Sequence, residues 1–500
     1  MLHLTPLGWI LVPIALWIFT FRSRADLFWA FALSTVLFGA RVGYVAKTGT
    51  IIPPHYLFGA LFVVKEFLCR SLYCRWSSTL TRSGVVWTAL VVVVLTLSWC
   101  GLIAQSGKVD VSPMGTEYWD WQRTPLQLTS GNLTQLAFPL FGVTLLILSI
   151  EFLRSKNALR RLGLLGGVAC ALVVVSGLIY MLAGALGYKG ILRDAFWLLQ
   201  GHGEVRQYGH LVGSVPRMVS LAGEPGYTSA LLLLLTGPVA MLSGRLWAHS
   251  STATSVRPQG LGAMVALGGS LVITGSTTAF LGVVLFAFSL GLLAVISAID
   301  RRSEAVAITL PPLMVIGLVV TILSAVAMAV VLQPAVAKEL AGLIGHHIDK
   351  LEGRGASGSG GIRMRTVLDG LEVASSSPIV GVGYGSHRTA SMLVSLLANV
   401  GVMGTFLLLT FHGSILVRTV TRMLRAQSLE EHRYAYALSV SHLVILPTYL
   451  IGKSMVVFNF GWYWIFLAAN IGFLSVSRGY EGVGAAQSVY GTDAGKESAV

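Results

Sequence analysis

The chain has 500 residues, 54% of them hydrophobic and 11% charged, with a net charge of +14. Its mean hydropathy of +0.75 excludes an ordinary soluble domain, in which about a quarter of the residues are charged. The basic residues form short clusters between long apolar runs, so the positive charge reads as membrane topology and not as nucleic-acid binding.

Runs such as "VVWTALVVVVLTLSWCGLIA" are continuous and do not alternate apolar with polar. That pattern predicts an all-α, polytopic transmembrane protein and not a barrel. In chain order, spans are expected near 6–21, 26–44, 50–66, 84–104, 133–153, 162–186, 224–243, 260–276, 278–298, 306–331, 390–416, 435–451 and 457–476. This makes about 12–13 spans of roughly 17–25 residues each. The polar turn "TGSTT" at 274–278 divides a run too long for one span. The first run is followed, not preceded, by its charges Arg22 and Arg24, so it is expected to stay in the membrane.

The basic clusters Arg22/Arg24, Arg70/Arg75/Arg82, Arg154/Lys156/Arg160/Arg161, Arg245/Arg257, Arg301/Arg302 and Arg418/Arg422/Arg425/Arg433 all fall on one side under this count. That side is read as cytoplasmic. Three loops then lie outside: 105–132, 187–223 and 332–389, the last being the large loop between spans 10 and 11. Residues 1–476 read as one transmembrane domain, and 477–500 as a small, polar, disordered cytoplasmic tail. Cys69, Cys74, Cys100 and Cys170 show no metal-ligand constellation, and no metal or cofactor is expected.

Ionisable residues at the membrane edge are costly and draw attention first. "PRMVSLAGEPGYTSALLLLL" carries Arg217 and Glu224 seven residues apart, two turns if helical, with Pro225 suited to a first helical turn. The plain reading is an ion pair or an interfacial cap. "GSGGIRMRTVLDGLEVASSSPIVGVGYGSHRTASM" carries Arg363, Arg365, Asp369, Glu372, His387 and Arg388 on an external segment. Its glycines Gly381, Gly383 and Gly385 form a run of the kind that exposes successive backbone N–H groups to an anion. Arginine forks suit phosphate and diphosphate. Here the plain readings are a turn and a solvated loop whose arginines snorkel toward lipid headgroups; on the functional reading the glycines before Arg363 are slack that lets it close on a diphosphate. "LIGHHIDK" and "EYWDWQRT" are weaker candidates: adjacent histidines on a helix point apart, and Trp119 and Trp121 suit an aromatic belt as well as a sugar platform.

Together these segments resemble the O-antigen polymerase and O-antigen ligase superfamily of bacterial envelope proteins. The resemblance rests on Arg217 before Glu224-Pro225, on the turn "TGSTT", and on Arg363 about fifteen residues before "PIVGVGYG". The small-residue exit "LLANVGVMG" at 396–404 completes it. It covers about 215–405. The chain has Thr277 where the family turn usually carries arginine. It has Ala390-Ser391 where ligase-like members carry a His-Asn pair, which tilts the resemblance toward the polymerases.

The resemblance implies a GT-C-like, metal-independent glycosyltransferase in the bacterial inner membrane, its site facing the periplasm and built from loops 187–223 and 332–389. Its donor would be a glycan on a polyprenyl diphosphate, and its acceptor a second lipid-linked repeat; transfer to a lipid A core is the ligase alternative. Membrane lipid and a chain-length regulator would be its partners, with no nucleic acid. Arg217, Arg363 and Arg365 would hold the diphosphate, Gly381, Gly383 and Gly385 would bind substrate, and Glu224 or His387 would take the acceptor proton. A transporter of an anionic lipid-linked substrate, using the same arginines, is the rival from another class.

Overall fold

The computed structural model describes residues 2–45, 50–72, 82–113, 123–186, 225–245, 276–299, 359–426, 428–452 and 458–475, with isolated positions at 188, between 211 and 221, and between 267 and 274. These residues are mostly helical. In order, the helices are α1 (Pro6–Phe21), α2 (Arg24–Ser34), α3 (Pro54–Leu72), α4 (Arg82–Gln105), α5 (Ser130–Phe152), α6 (Lys156–Ala185) and α7 (Pro225–Leu234). They continue with α8 (Thr236–Arg245), α9 (Thr277–Ile299), α10 (Ser359–Ser376), α11 (Met392–Leu424), α12 (Leu429–Gly452) and α13 (Gly461–Ser475). Strands β1 (Leu2–Leu4), β2 (Gly43–Val45) and β3 (Thr50–Ile52) form one antiparallel sheet. Strands β4 (Asp110–Val111) and β5 (Thr124–Pro125) form a short hairpin.

Four helices are long and apolar enough to cross a membrane, over Gly131–Phe152, Lys156–Ala183, Met392–Leu424 and Glu430–Gly452. Pro6–Phe21, Val91–Gln105 and Leu281–Leu293 are shorter apolar helices. The architecture is that of an α-helical membrane protein.

The expected span 26–44 is corrected. Ser23 starts α2 with a capping box closed by Asp26, but the helix ends at Ser34 and one 3-10 turn follows to Leu37. Eleven residues rise about 16 Å, half the hydrocarbon core. The apolar residues beyond it pair as strands, Leu2 opposite Val45 and Gly43 opposite Ile52. Thr50–Ile52 likewise leaves the expected span 50–66, and α3 begins at Pro54. The third loop is corrected too: within 332–389, residues 359–376 are helix α10.

The core is packed by rings and by small residues. Phe28, Phe31, Phe62 and Phe152 cluster where α2, α3 and α5 meet, Phe28 stacked on Phe152 at 5.3 Å. A Cβ at Gly142 would lie 2.0 Å from the Trp464 ring, so α5 and α13 touch at backbone range.

The bundle has two distinct ends. One gathers the three-stranded sheet, the β4–β5 hairpin, the last turns of α4 and α12 and the first turns of α7, α9, α11 and α13. Backbone contacts tie it together, including Thr5 N–H to Val42 O, Gly39 N–H to Leu221 O and Arg388 N–H to Ser112 O. The other end carries ion pairs. Glu66 meets Arg24 at 3.5 Å and Arg70 at 3.2 Å, Arg70 meets Glu151 at 2.6 Å, and Arg422 meets Glu431 at 2.7 Å.

Candidate functional site

The segment from α10 to the kink in α11 forms the heart of the first end. Arg363 and Arg365 stand exposed on the first turns of α10, a helix and not slack chain. Thr366, Asp369, Gly370 and Val373 make the buried face of that helix. Thr366 Oγ1 donates to Arg363 O at 2.7 Å and accepts the Ala390 N–H at 3.0 Å, so one hydroxyl ties the arginine turn to the chain entering α11.

The glycine run is buried. Gly381, Gly383 and Gly385 have φ of +72°, +108° and +77°, which favour glycine over any residue with a Cβ. The Gly381 N–H donates to Ser377 O at 3.0 Å, and the Gly383 N–H to Asn399 O at 3.0 Å. A Cβ at Gly381 would sit 2.3 Å from the Asn399 carbonyl carbon, and one at Gly385 would sit 2.4 Å from Gln135 Cβ. Gly101 of α4 and Gly401 of α11 close on the same loop, 2.4 Å from Gly381 O and 2.1 Å from Ile379 O on the same test. Of the donors expected to cradle an anion, those of Gly381 and Gly383 are engaged inside the protein, and the run packs backbone against backbone.

Asn399 and His387 explain why the loop holds this shape. Asn399 Oδ1 accepts the His387 N–H at 2.9 Å, while its Nδ2 donates to His387 O at 2.8 Å and Ser395 O at 2.7 Å. The asparagine thus stands in for a strand partner. The His387 ring is buried, and its Nδ1 accepts the Ser112 N–H at 3.1 Å. That bond assigns the proton to Nε2, which lies 3.8 Å from Asp369 Oδ2 and has no hydrogen-bond partner among the described residues. Asp369 also accepts from Ser112 Oγ at 3.2 Å and pairs with Arg123. Arg123 forks onto Glu372, with Nη1 to Oε1 at 2.9 Å and Nη2 to Oε2 at 2.5 Å.

The charges follow from these contacts. Burial pulls the His387 pKa down to about 4, against the opposing pull of Asp369, so the ring is neutral near pH 7. The Glu372 fork, with Asp369 behind it, raises Arg123, and Arg123 lowers Glu372. Arg123 therefore stays cationic, its charge matched by the two carboxylates. Arg363 and Arg365 have no ion-pair partner among the described residues.

A hydrogen-bonded relay joins the motif segments at this end. Ser391 Oγ, which caps α11, donates to Leu450 O at 2.9 Å. Two residues on, Gly452 O accepts from Thr278 Oγ1 at 3.1 Å. Across the same turn, Ser229 Oγ donates to Ser276 Oγ at 3.3 Å, and Tyr449 Oη donates to Ala230 O at 2.7 Å. Arg363's turn, the glycine loop, the 274–278 turn and the start of α7 are thereby placed together. Arg217 and Glu224 lie outside the described residues, as do the expected span 306–331, most of 260–276, the histidines of "LIGHHIDK", both tryptophans of "EYWDWQRT", and the tail. Their neighbours are placed: Met218 packs on Gly177, and Ser220 bonds Thr228 at 3.0 Å.

Beneath the loop, α4, α5, α11 and α13 enclose an apolar cavity that runs from Tyr384 and Leu396 past Val400 and Tyr463 to Ile150 and Ile471. Its walls are almost wholly hydrocarbon.

Sequence reasoning singled out His387 but missed its partners. Asn399 carried a legible signal, a lone amide in an apolar run just before Gly401. Arg123 and Ser112 carried none, since nothing in their local sequence refers to Asp369 more than 240 residues away.

Compared with known proteins, the chain matches no family model and no curated protein.

Proposed function

We propose that the protein is a polysaccharide polymerase of the bacterial inner membrane, with about 12–13 spans, joining polyprenyl-diphosphate-linked repeats at the periplasmic end of the bundle. The observation that carries this reading is the relay at one end. It ties the arginine turn of α10, whose cations have no ion-pair partner among the described residues, to the 274–278 turn and the start of α7, at the end of the bundle from which an apolar cavity runs inward. Cations at such an end suit a diphosphate on a hydrocarbon tail.

In the reaction, an acceptor hydroxyl oxygen bonds to the donor's anomeric carbon while the bond from that carbon to the diphosphate oxygen breaks. The diphosphate leaves with its electron pair, and Arg363, Arg365 and Arg217 stabilise the charge that develops. The hydroxyl proton passes to Glu224. His387 is enclosed and neutral, so this reading makes it a positioning residue that holds the loop to Ser112. The ligase alternative is disfavoured by Ala390-Ser391: the Ser391 hydroxyl is engaged with Leu450 O, and no base stands there.

The test uses purified protein in detergent with a lipid-linked oligosaccharide and no ion gradient. Lengthened product is expected, and Arg363→Ala or Arg217→Ala should leave single repeats with no long polymer. Normal chain-length ladders in both variants would sink the proposal, and a requirement for a gradient would favour the transporter.

A further inference from the structure

Helix α10 has two opposed faces. At about 100° per residue, the buried residues Thr366, Asp369, Gly370 and Val373 centre on one side. Met364, Leu368 and Leu371 lie about 180° away from them, and they are 53%, 55% and 46% exposed. Ile379, just past the helix, is 67% exposed. An apolar stripe turned away from the protein is not expected on a helix bathed in water. Arg363 and Arg365 fall on opposite rims of the stripe, each about 100° from its centre.

The height of α10 can be read from its neighbours. A Cβ at Gly370 would meet Thr389 Cγ2 at 2.5 Å and Val394 Cγ1 at 2.8 Å, so α10 sits on the first turn of α11. α11 runs antiparallel to α4, with Gly404 beside Val94 and the Ser98 hydroxyl on Asn399 O at 3.0 Å. Counting back seven residues from Asn399 reaches Met392, and forward seven from Ser98 reaches Gln105, the last residue of α4. Both helices therefore end at one level, and α10 lies there. A helix that crosses the hydrocarbon core ends near the headgroup boundary, and the proposal sets α10 at that level.

We propose that α10 is an interfacial helix, its Met364–Leu368–Leu371 stripe set in the lipid surface and Arg363 and Arg365 reaching from its two rims to lipid phosphates. The rim position is where a long cationic side chain keeps its stem on hydrocarbon and its head in the polar layer. A second protein or a segment of this chain would cover the stripe without needing cations on both rims. The placement of α10 stands on geometry and does not need glycosyl transfer; the lipid phosphates its arginines reach include the lipid-linked diphosphate assigned to them above.

The experiment reads location, not activity. In full-length protein with its four native cysteines replaced, Met364→Cys, Leu368→Cys, Leu371→Cys and Ser376→Cys each carry bimane in nanodiscs of phosphatidylethanolamine and phosphatidylglycerol. Phosphatidylcholine spin-labelled at acyl carbon 5 should quench the three stripe positions several-fold more than position 376, and aqueous iodide should do the reverse. These positions are exposed, so each variant should keep the parent's melting temperature, which confirms folding. Iodide quenching of the stripe equal to that at 376 would overturn the proposal by placing the stripe in water. Protection of the stripe from both quenchers would overturn it by showing a protein cover. Leu368→Asp, labelled at 371, should lose part of the lipid quenching; unchanged quenching would also count against the stripe as the anchor.

Discussion

The two ends of the bundle use arginine in opposite ways. At the end bearing the basic clusters, Arg70 is 7% exposed and clasped by Glu66 and Glu151, while Arg422 holds Glu431. At the other end, Arg123 is matched by Asp369 and Glu372, whereas Arg363 and Arg365, on the very helix that carries those acids, are unmatched among the described residues. A buried arginine given a carboxylate is part of the scaffold. An exposed arginine one turn from a rigid anchor, with no acid assigned to it, is available to an anion from outside. Pairing, more than position in the sequence, separates the two uses.

The comparison breaks most sharply on single substitutions. Arg363→Ala should cut polymer formation by about a hundredfold or more, the scale of losing one transition-state donor, with no change in melting temperature. Arg70→Ala should do the reverse: it leaves the buried Glu66 carboxylate only the longer Arg24 contact and costs up to about 3–5 kcal/mol, read as loss of monodisperse protein on fluorescence-detected gel filtration. Equal effects of the two on folding would erase the distinction.

Next in size is the glycine loop. Gly381→Ala forces a methyl group onto the Asn399 backbone at positive φ and should abolish a folded peak. Gly413→Ala, in the same α11 that the loop packs against but with open space around it, should be neutral or stabilising by up to about 1 kcal/mol. Asn399→Ala should be milder than Gly381→Ala, about 1–3 kcal/mol for each His387 backbone group left without its partner.

The smallest effect is on pH. The folded state holds His387 neutral, with its pKa lowered from 6.5 to about 4. Between those values the unfolded chain binds the extra proton, so this residue's contribution to stability is full above pH 6.5 and is lost as the pH falls toward 4. Melting temperatures across that window should flatten in His387→Gln. An unchanged slope would assign the acid sensitivity elsewhere.

The helices were legible wherever an apolar run stood alone. The run expected at 84–104 is α4 from Arg82 to Gln105, and that at 278–298 is α9 from Thr277 to Ile299. Legibility failed where apolar residues served another partner. "GYV" at 43–45 is as oily as a span, yet its pairing depends on Leu2–Leu4, some forty residues earlier. α10 was obscured by its glycines. Its helix is stabilised by Asp369, Gly370 and Val373 packing on distant chain, which no local propensity reports. The site was legible as a list of charges but not as a circuit. The sequence names Arg363, Asp369 and His387 within one segment, while the hairpin residues that hold them arrive from far upstream.

The bond from Ser112 to His387 spans 275 residues. At about 5–20 residues per second, the ribosome needs roughly 15–55 s to travel from one partner to the other. Through that interval α4 and α5 stand in the bilayer with Gly101, Ser98 and Asn132 lacking the loop they are shaped to receive. That end of the bundle therefore stays open until the chain past residue 387 has been made. A chain truncated before residue 381 would insert its early helices and still lack the loop that closes that end.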